Sequence, residues 1–109
     1  MDKLERQRQA IKKVIQEYAD LPRGILHSET IFDDVKNRYL LMVEGWEGVE
    51  RIHYCVAHLE IIDGKIWIQR DGTEEGIAIE LERKGITKKE IVLAFHEPEI
   101  RKFTEYAFA

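Results

Sequence analysis

Asp63 to Leu81, DGKIWIQRDGTEEGIAIEL, holds the end of a hairpin, a strand, a sharp turn and the start of a helix. Asp63-Gly64 suits a two-residue hairpin loop, because both central positions of such a turn need positive φ. Closing that loop sets Ile61 opposite Ile66 and Leu59 opposite Ile68. Four aliphatic side chains then share one face, and His58, Glu60, Trp67 and Gln69 are expected on the other. Arg70-Asp71-Gly72-Thr73 breaks the strand. Thr73 is the expected cap of a helix reaching Lys84, with Glu74 and Glu75 at its positive end and Gly85 as its stop.

Upstream, Leu4, Ile11, Val14, Ile15 and Tyr18 recur at helical spacing and predict one apolar helix face between about Asp2 and Asp20, ended by Pro22 and Gly24. Ser28 to Phe32 reads as a short strand and Asp33 to Arg38 as a polar turn. Tyr39 to Trp46 is an apolar strand. Glu47-Gly48 supports a second hairpin leading into a long strand from Arg51 to Ile62, which the Asp63-Gly64 turn joins to Lys65 to Arg70. Links this short predict an antiparallel meander, since parallel neighbours need long crossovers. Downstream, Thr87-Lys88-Lys89-Glu90 has capping-box spacing, followed at once by the β-branched and aromatic run Ile91 to Phe95. That reads as one helical turn and then a strand. Pro98 favours a last helix from about Glu99 to Tyr106. The predicted class is α+β: an N-terminal helix, an antiparallel meander of four to five strands, a helix, a short strand and a C-terminal helix.

A chain of 109 residues fits one domain. Hydrophobic residues at 44% and charged residues at 35% suit a core with a well-solvated exterior. The cytosol is the expected compartment, because no leader-like or membrane-spanning apolar run is present. The 17 basic and 21 acidic residues leave a formal charge of −4. A duplex-binding domain normally carries a basic excess, so this balance argues against broad phosphate contact. A direct DNA-binding regulator, with its basic groups gathered locally, is the second reading of function. In the first helix, Lys3, Arg6, Arg8, Lys12 and Lys13 alternate with Asp2, Glu5 and Glu17, which reads as a solvated face.

No catalytic constellation is assembled, and neither a cofactor nor a metal ligand set is expected. Cys55 is the only cysteine and sits among apolar residues, as a packed thiol does. His27, His53, His58 and His96 lack ligand spacing, and strand alternation places His53 and His58 on opposite faces. Asp63-Gly64-Lys65 resembles the tail of a metal-dependent nuclease pattern, the basis of a third reading, but turn chemistry accounts for it. Gly72 before a helix suggests a phosphate cradle that Glu74 and Glu75 would repel. Asp33-Asp34 and Glu74-Glu75 fall in turns, outside any cleft that would separate their pKa values. No nucleophile elbow surrounds Ser28. The strongest signal outside the core is an interaction surface: aromatics beside polar and cationic groups supply much of the affinity at protein interfaces. Trp46, Trp67, Gln69, Arg70 and Tyr106 are the candidate contacts. Trp67 has a competing reading, burial beneath the first helix. The apolar Tyr106-Ala107-Phe108-Ala109 must dock on this subunit or another, and a homodimer is one expected outcome.

The run Asp63-Gly64-Lys65-Ile66-Trp67-Ile68-Gln69-Arg70-Asp71-Gly72-Thr73 resembles the signature of the XisI family, the fdxN element excision controlling factors of cyanobacteria. The likeness continues through Met1 to Arg6, Gly45-Trp46, Ile91 to His96 and Lys102 to Glu105, so it spans essentially the whole chain. It implies a role in programmed DNA rearrangement, assisting a site-specific recombinase alongside a companion protein, XisH; with no catalytic constellation assembled, that role is expected to be a non-enzymatic, accessory one. It carries no catalytic residues across.

Overall fold

Both residues of the Asp63-Gly64 turn take positive φ, 49° and 77°. The strands they join pair Ile61 with Ile66 and Leu59 with Ile68, as the turn requires. In the computed structural model, which describes residues 1–109, the elements run α1 (Lys3–Ala19), β1 (His27–Asp33), β2 (Arg38–Glu47), β3 (Glu50–Ile62), β4 (Lys65–Asp71), α2 (Ile77–Arg83), β5 (Ile91–Leu93) and α3 (Pro98–Arg101). A single 3₁₀ turn, Lys88–Glu90, precedes β5. The five strands form one sheet in sequential order. The fold is α+β, and no helix is long and apolar enough to cross a membrane.

The sheet is not wholly antiparallel. β1 to β4 form the predicted meander, but β5 lies parallel to β4, with Ile66, Trp67 and Ile68 beside Ile91, Val92 and Leu93. The stretch from Gly72 to Glu90 is long enough to return the chain for parallel pairing, and α2 sits within it. β5 also stops at Leu93 instead of Phe95.

Alternation along the strands sends Tyr39, Leu41, Val43, Leu59, Ile61, Ile66 and Ile68 to one face, where α1 supplies Ile11, Val14 and Ile15 and α2 supplies Ile77 and Leu81. All twelve side chains are buried. Burying each aliphatic chain contributes about 1.5–3 kcal/mol. The first helix therefore covers the aliphatic face, and Trp67 lies on the opposite one. Asp2 caps α1, its Oδ1 accepting from the Glu5 N–H at 2.8 Å. Leu4, expected on the buried stripe, is 38% exposed, whereas Gln7 is fully covered.

α2 begins at Ile77, with Gly76 in the cap position expected for Thr73. Its cap reaches from the end of β4: Asp71 Oδ2 accepts from the Ile77 N–H at 2.8 Å, and Oδ1 accepts from the Thr73 N–H and hydroxyl at 2.9 and 2.6 Å. Thr73 Oγ1 takes only the Gly76 N–H at 3.2 Å, and Glu74 and Glu75 fall in the loop. One carboxylate thus holds both ends of a loop in which Gly76 has φ 104°, a conformation glycine accepts readily. At the far end, Gly85 N–H bonds the Glu82 carbonyl and Ile86 N–H the Leu81 carbonyl, a Schellman closure with both apolar partners buried. The Thr87–Glu90 capping box forms as its spacing predicts.

The last helix is a single turn, Pro98–Arg101, not a helix to Tyr106. The chain beyond it returns to the sheet: Ala107 donates its N–H to Ile91 O at 2.9 Å and bridges Val92. Tyr106 packs against the core, and its hydroxyl donates to Glu82 Oε2 at 2.7 Å.

Candidate interaction surface

The face turned away from α1 carries the alternate residues of the same strands. Its rows, read across the sheet, are Ile31–Leu40–His58–Arg70, Glu29–Met42–Cys55, His27–Glu44–His53 and Asp33–Arg38–Glu60–Trp67. Two bulges set these rows. Val56 is an extra residue in β3 against β2, and Gln69 one in β4 against β3. Each inserted residue reverses the alternation beyond it. His53 and His58 therefore share the open face, against the expectation from simple alternation, and Arg70 instead of Gln69 stands opposite His58. Gly72 fits against the first bulge, its N–H 2.7 Å from Val56 O, where an added Cβ would lie 3.1 Å from that oxygen.

Glu60 organises the polar half of this face. Its side chain, only 14% exposed, receives Arg38 Nε at 2.7 Å and Gln69 Nε2 at 3.1 Å, with His58 Nε2 at 3.6 Å. Towards the other end, Arg51 donates to Glu44 Oε2 at 3.1 Å and lies over the Trp46 ring, 5.5 Å from its centroid. Between these ion pairs stand Ile31, Leu40, Met42 and Cys55, half-buried or exposed, with no helix over them. Burial raises the Cys55 thiol pKa, and its Sγ donates to Ala57 O at 3.2 Å. A protonated, hydrogen-bonded thiol is a poor nucleophile.

The sequence candidates separate. Trp46 is 58% exposed at the β2–β3 end. Trp67 is half-covered by Arg101, whose guanidinium lies 5.5 Å from its ring centroid and bonds the carbonyls of Ala94 and His96. Gln69 is tied to Glu60, and exposed Arg70 donates Nε to Cys55 O at 3.3 Å. These four share one face. Tyr106 does not: burial and the Glu82 hydrogen bond push its hydroxyl pKa up to about 12, and Lys88 stacks on its ring within its own subunit. Phe108, two residues on, is exposed. The apolar centre at Leu40, Met42 and Cys55 was not singled out from sequence. Its signal is that Tyr39 to Val43 is apolar at every position, leaving hydrophobic side chains on both faces of β2.

This arrangement can hold another protein better than nucleic acid. An apolar centre ringed by polar pairs is the anatomy of a protein interface. The cations Arg38 and Arg51 already serve Glu60 and Glu44, so few charges are free to meet phosphate. Elsewhere, a groove of about 460 Å³ between the end of α1 and the loop after β4 sets Glu17, Glu74, Glu75 and Glu80 against the single cation Arg23. A second of equal volume along α1 carries Arg6, Lys13 and Lys84, of which Arg6 and Lys84 are already paired with Glu90 and Glu17.

A crystal structure of a XisI-like protein from Anabaena variabilis superposes with a TM-score of 0.90 at 36% identity, over 97% of this chain and 99% of that one. That of the fdxN element excision controlling factor XisI from Anabaena variabilis gives 0.84, also at 36% identity, over 99% and 100%. No curated protein matches the chain. The family model described as XisI protein aligns with residues 1–108, so the match takes in α1, every strand and the returning tail together. By sequence and by fold, the chain belongs to the XisI family.

Proposed function

We propose that this chain is a non-enzymatic controlling factor in site-specific DNA element excision, acting through protein–protein contact. Its partner is a companion XisH-type protein, through which it serves a recombinase. The observation that carries this reading is the uncovered face, where Leu40, Met42 and Cys55 form an apolar centre between two sets of satisfied ion pairs. The excision role follows from family membership, one solved relative being named a controlling factor of fdxN element excision. Trp46 and Arg70 form the rim of the contact, with Trp67 and Gln69 supporting it from within.

Calorimetric titration of the purified chain with the companion protein tests this directly. Micromolar or tighter binding is expected at physiological salt, and Met42→Lys, whose charge would face Glu29 within the sheet, should abolish it while leaving the fold intact. Absence of heat at high micromolar concentrations, or unchanged affinity in the variant, would remove the open face from the mechanism.

A further inference from the structure

The two edges of the sheet are finished differently. On the β5 side the strand is three residues long, and the returning tail closes it through Ala107. On the β1 side nothing closes the edge. β1 is seven residues long, its only neighbour is β2, and no backbone or side-chain group bonds its outward side. Of the usual devices that blunt an exposed edge, only charge is present, in Glu29 and Asp33. β1 holds no proline, glycine or lysine, and its pairing with β2 runs without a bulge, although both inner pairings contain one. An edge without a bulge presents a regular row of backbone donors and acceptors that another strand can complete, provided its charges are matched.

We propose that the occupant is a second copy of this chain, adding β1 to β1 antiparallel about a two-fold axis at Thr30. The length of β1 and its charges select that register, because centring on Ser28 or Phe32 would pair only the ends of the strand. Ser28, Thr30 and Phe32 face the α1 side, while His27, Glu29, Ile31 and Asp33 face the open side. A two-fold axis normal to the sheet keeps each set on its own face, so only registers centred on a residue are allowed. Centring on Glu29 sets that carboxylate against its own copy, and centring on Ile31 sets Glu29 against Asp33. Like charges directly opposite destabilise a strand pair. Centring on Thr30 places His27 opposite Asp33 at both ends, Glu29 opposite Ile31, and the two threonines face to face, a pairing that favours strands. The sheets of both copies become continuous, and their open faces lie side by side, so one assembly displays the surface twice. The pairing does not depend on which protein that face holds.

Ile31, 44% exposed, is the position to test, because its opposite number in the paired strand would be Glu29. Sedimentation equilibrium over a concentration series should show monomer and dimer for the full chain. Ile31→Glu should weaken self-association roughly tenfold, and Ile31→Lys should tighten it severalfold, because the two-fold axis repeats each new pair. Adding Glu29→Lys to Ile31→Glu should restore the original affinity. Amide exchange in 27–33 should slow as concentration rises in the parent chain. A chain monomeric at submillimolar concentration overturns the proposal. So does equal weakening by Glu and Lys at position 31, which would place the contact on the open face. Protection of β1 by the companion protein alone would assign the edge to that partner instead.

Discussion

The two faces of the sheet are made by the same strands, residue by residue in alternation, yet they do opposite work. On the α1 side the contacts are mainly aliphatic, joined by Tyr39 and Phe32, with the Arg6–Gln7–Glu90 network at the margin. On the open side the apolar residues are only half-covered or exposed, and Arg38, Gln69 and His58 gather on Glu60 at 2.7 to 3.6 Å. Stability therefore resides on one face and availability on the other, and substitutions should separate them.

The largest effect belongs to the covered face. Ile66→Ala, in a fully enclosed position, should cost roughly 4 kcal/mol in denaturant unfolding, since a cavity is left where Leu59 and Ile61 pack. A loss under 1 kcal/mol would break the comparison. Next is Glu90, the one acidic group buried on that side. Burial alone would raise its pKa, but bonds from the Thr87 N–H, Arg6, Gln7 and the Thr87 hydroxyl outweigh it and hold the carboxyl at about 2. A group depressed from 4.5 to about 2 adds stability that is complete above 4.5 and is lost as pH falls from there towards 2. Glu90→Gln should cost about 2 kcal/mol at neutral pH and flatten the acid limb of the stability curve in that window. An unchanged acid limb would show that other groups set it.

Glu60 is the open-face counterpart, also collecting three partners. Because Arg38 and His58 can turn to solvent, Glu60→Gln should cost under about 1 kcal/mol in the same assay. A cost equal to that of Glu90→Gln would erase the distinction between the faces. The smallest change in stability, about 0.5 kcal/mol, is expected for Met42→Lys, whose charge would face Glu29 across the strands. This is the substitution that should abolish partner binding, so a folded but non-binding variant sharpens the contrast most.

How much of this is written in the sequence depends on how local each feature is. The Asp63-Gly64 turn, the Ile61–Ile66 and Leu59–Ile68 pairs and the Thr87–Glu90 box rest on neighbours a few residues apart, and all three form as read. The direction of β5 rests on where a long crossover returns, which no local pattern encodes. The bulges at Val56 and Gln69 reverse alternation without a glycine or proline to announce them, so simple alternation puts His53 and His58 on opposite faces where the fold puts them on one. Asp71 caps α2 from six residues away, beyond the reach of the usual capping spacing. For the surface, Trp67, Gln69 and Arg70 could be grouped because they follow one turn. Its apolar centre became visible only once α1 had chosen a face, and Tyr106 left the set once the tail had docked on Glu82.

The Arg6–Glu90 and Gln7–Glu90 contacts span 84 and 83 residues. During synthesis, the polar side chains of the first helix emerge long before the carboxylate that completes them. Until position 90 clears the ribosome, Gln7 has no acidic partner within the sheet's shelter, and α1 can settle only provisionally on the hairpins already made. Loops this long close slowly, so the final locking of the helix should be a late kinetic event, sensitive to truncation just upstream of the capping box.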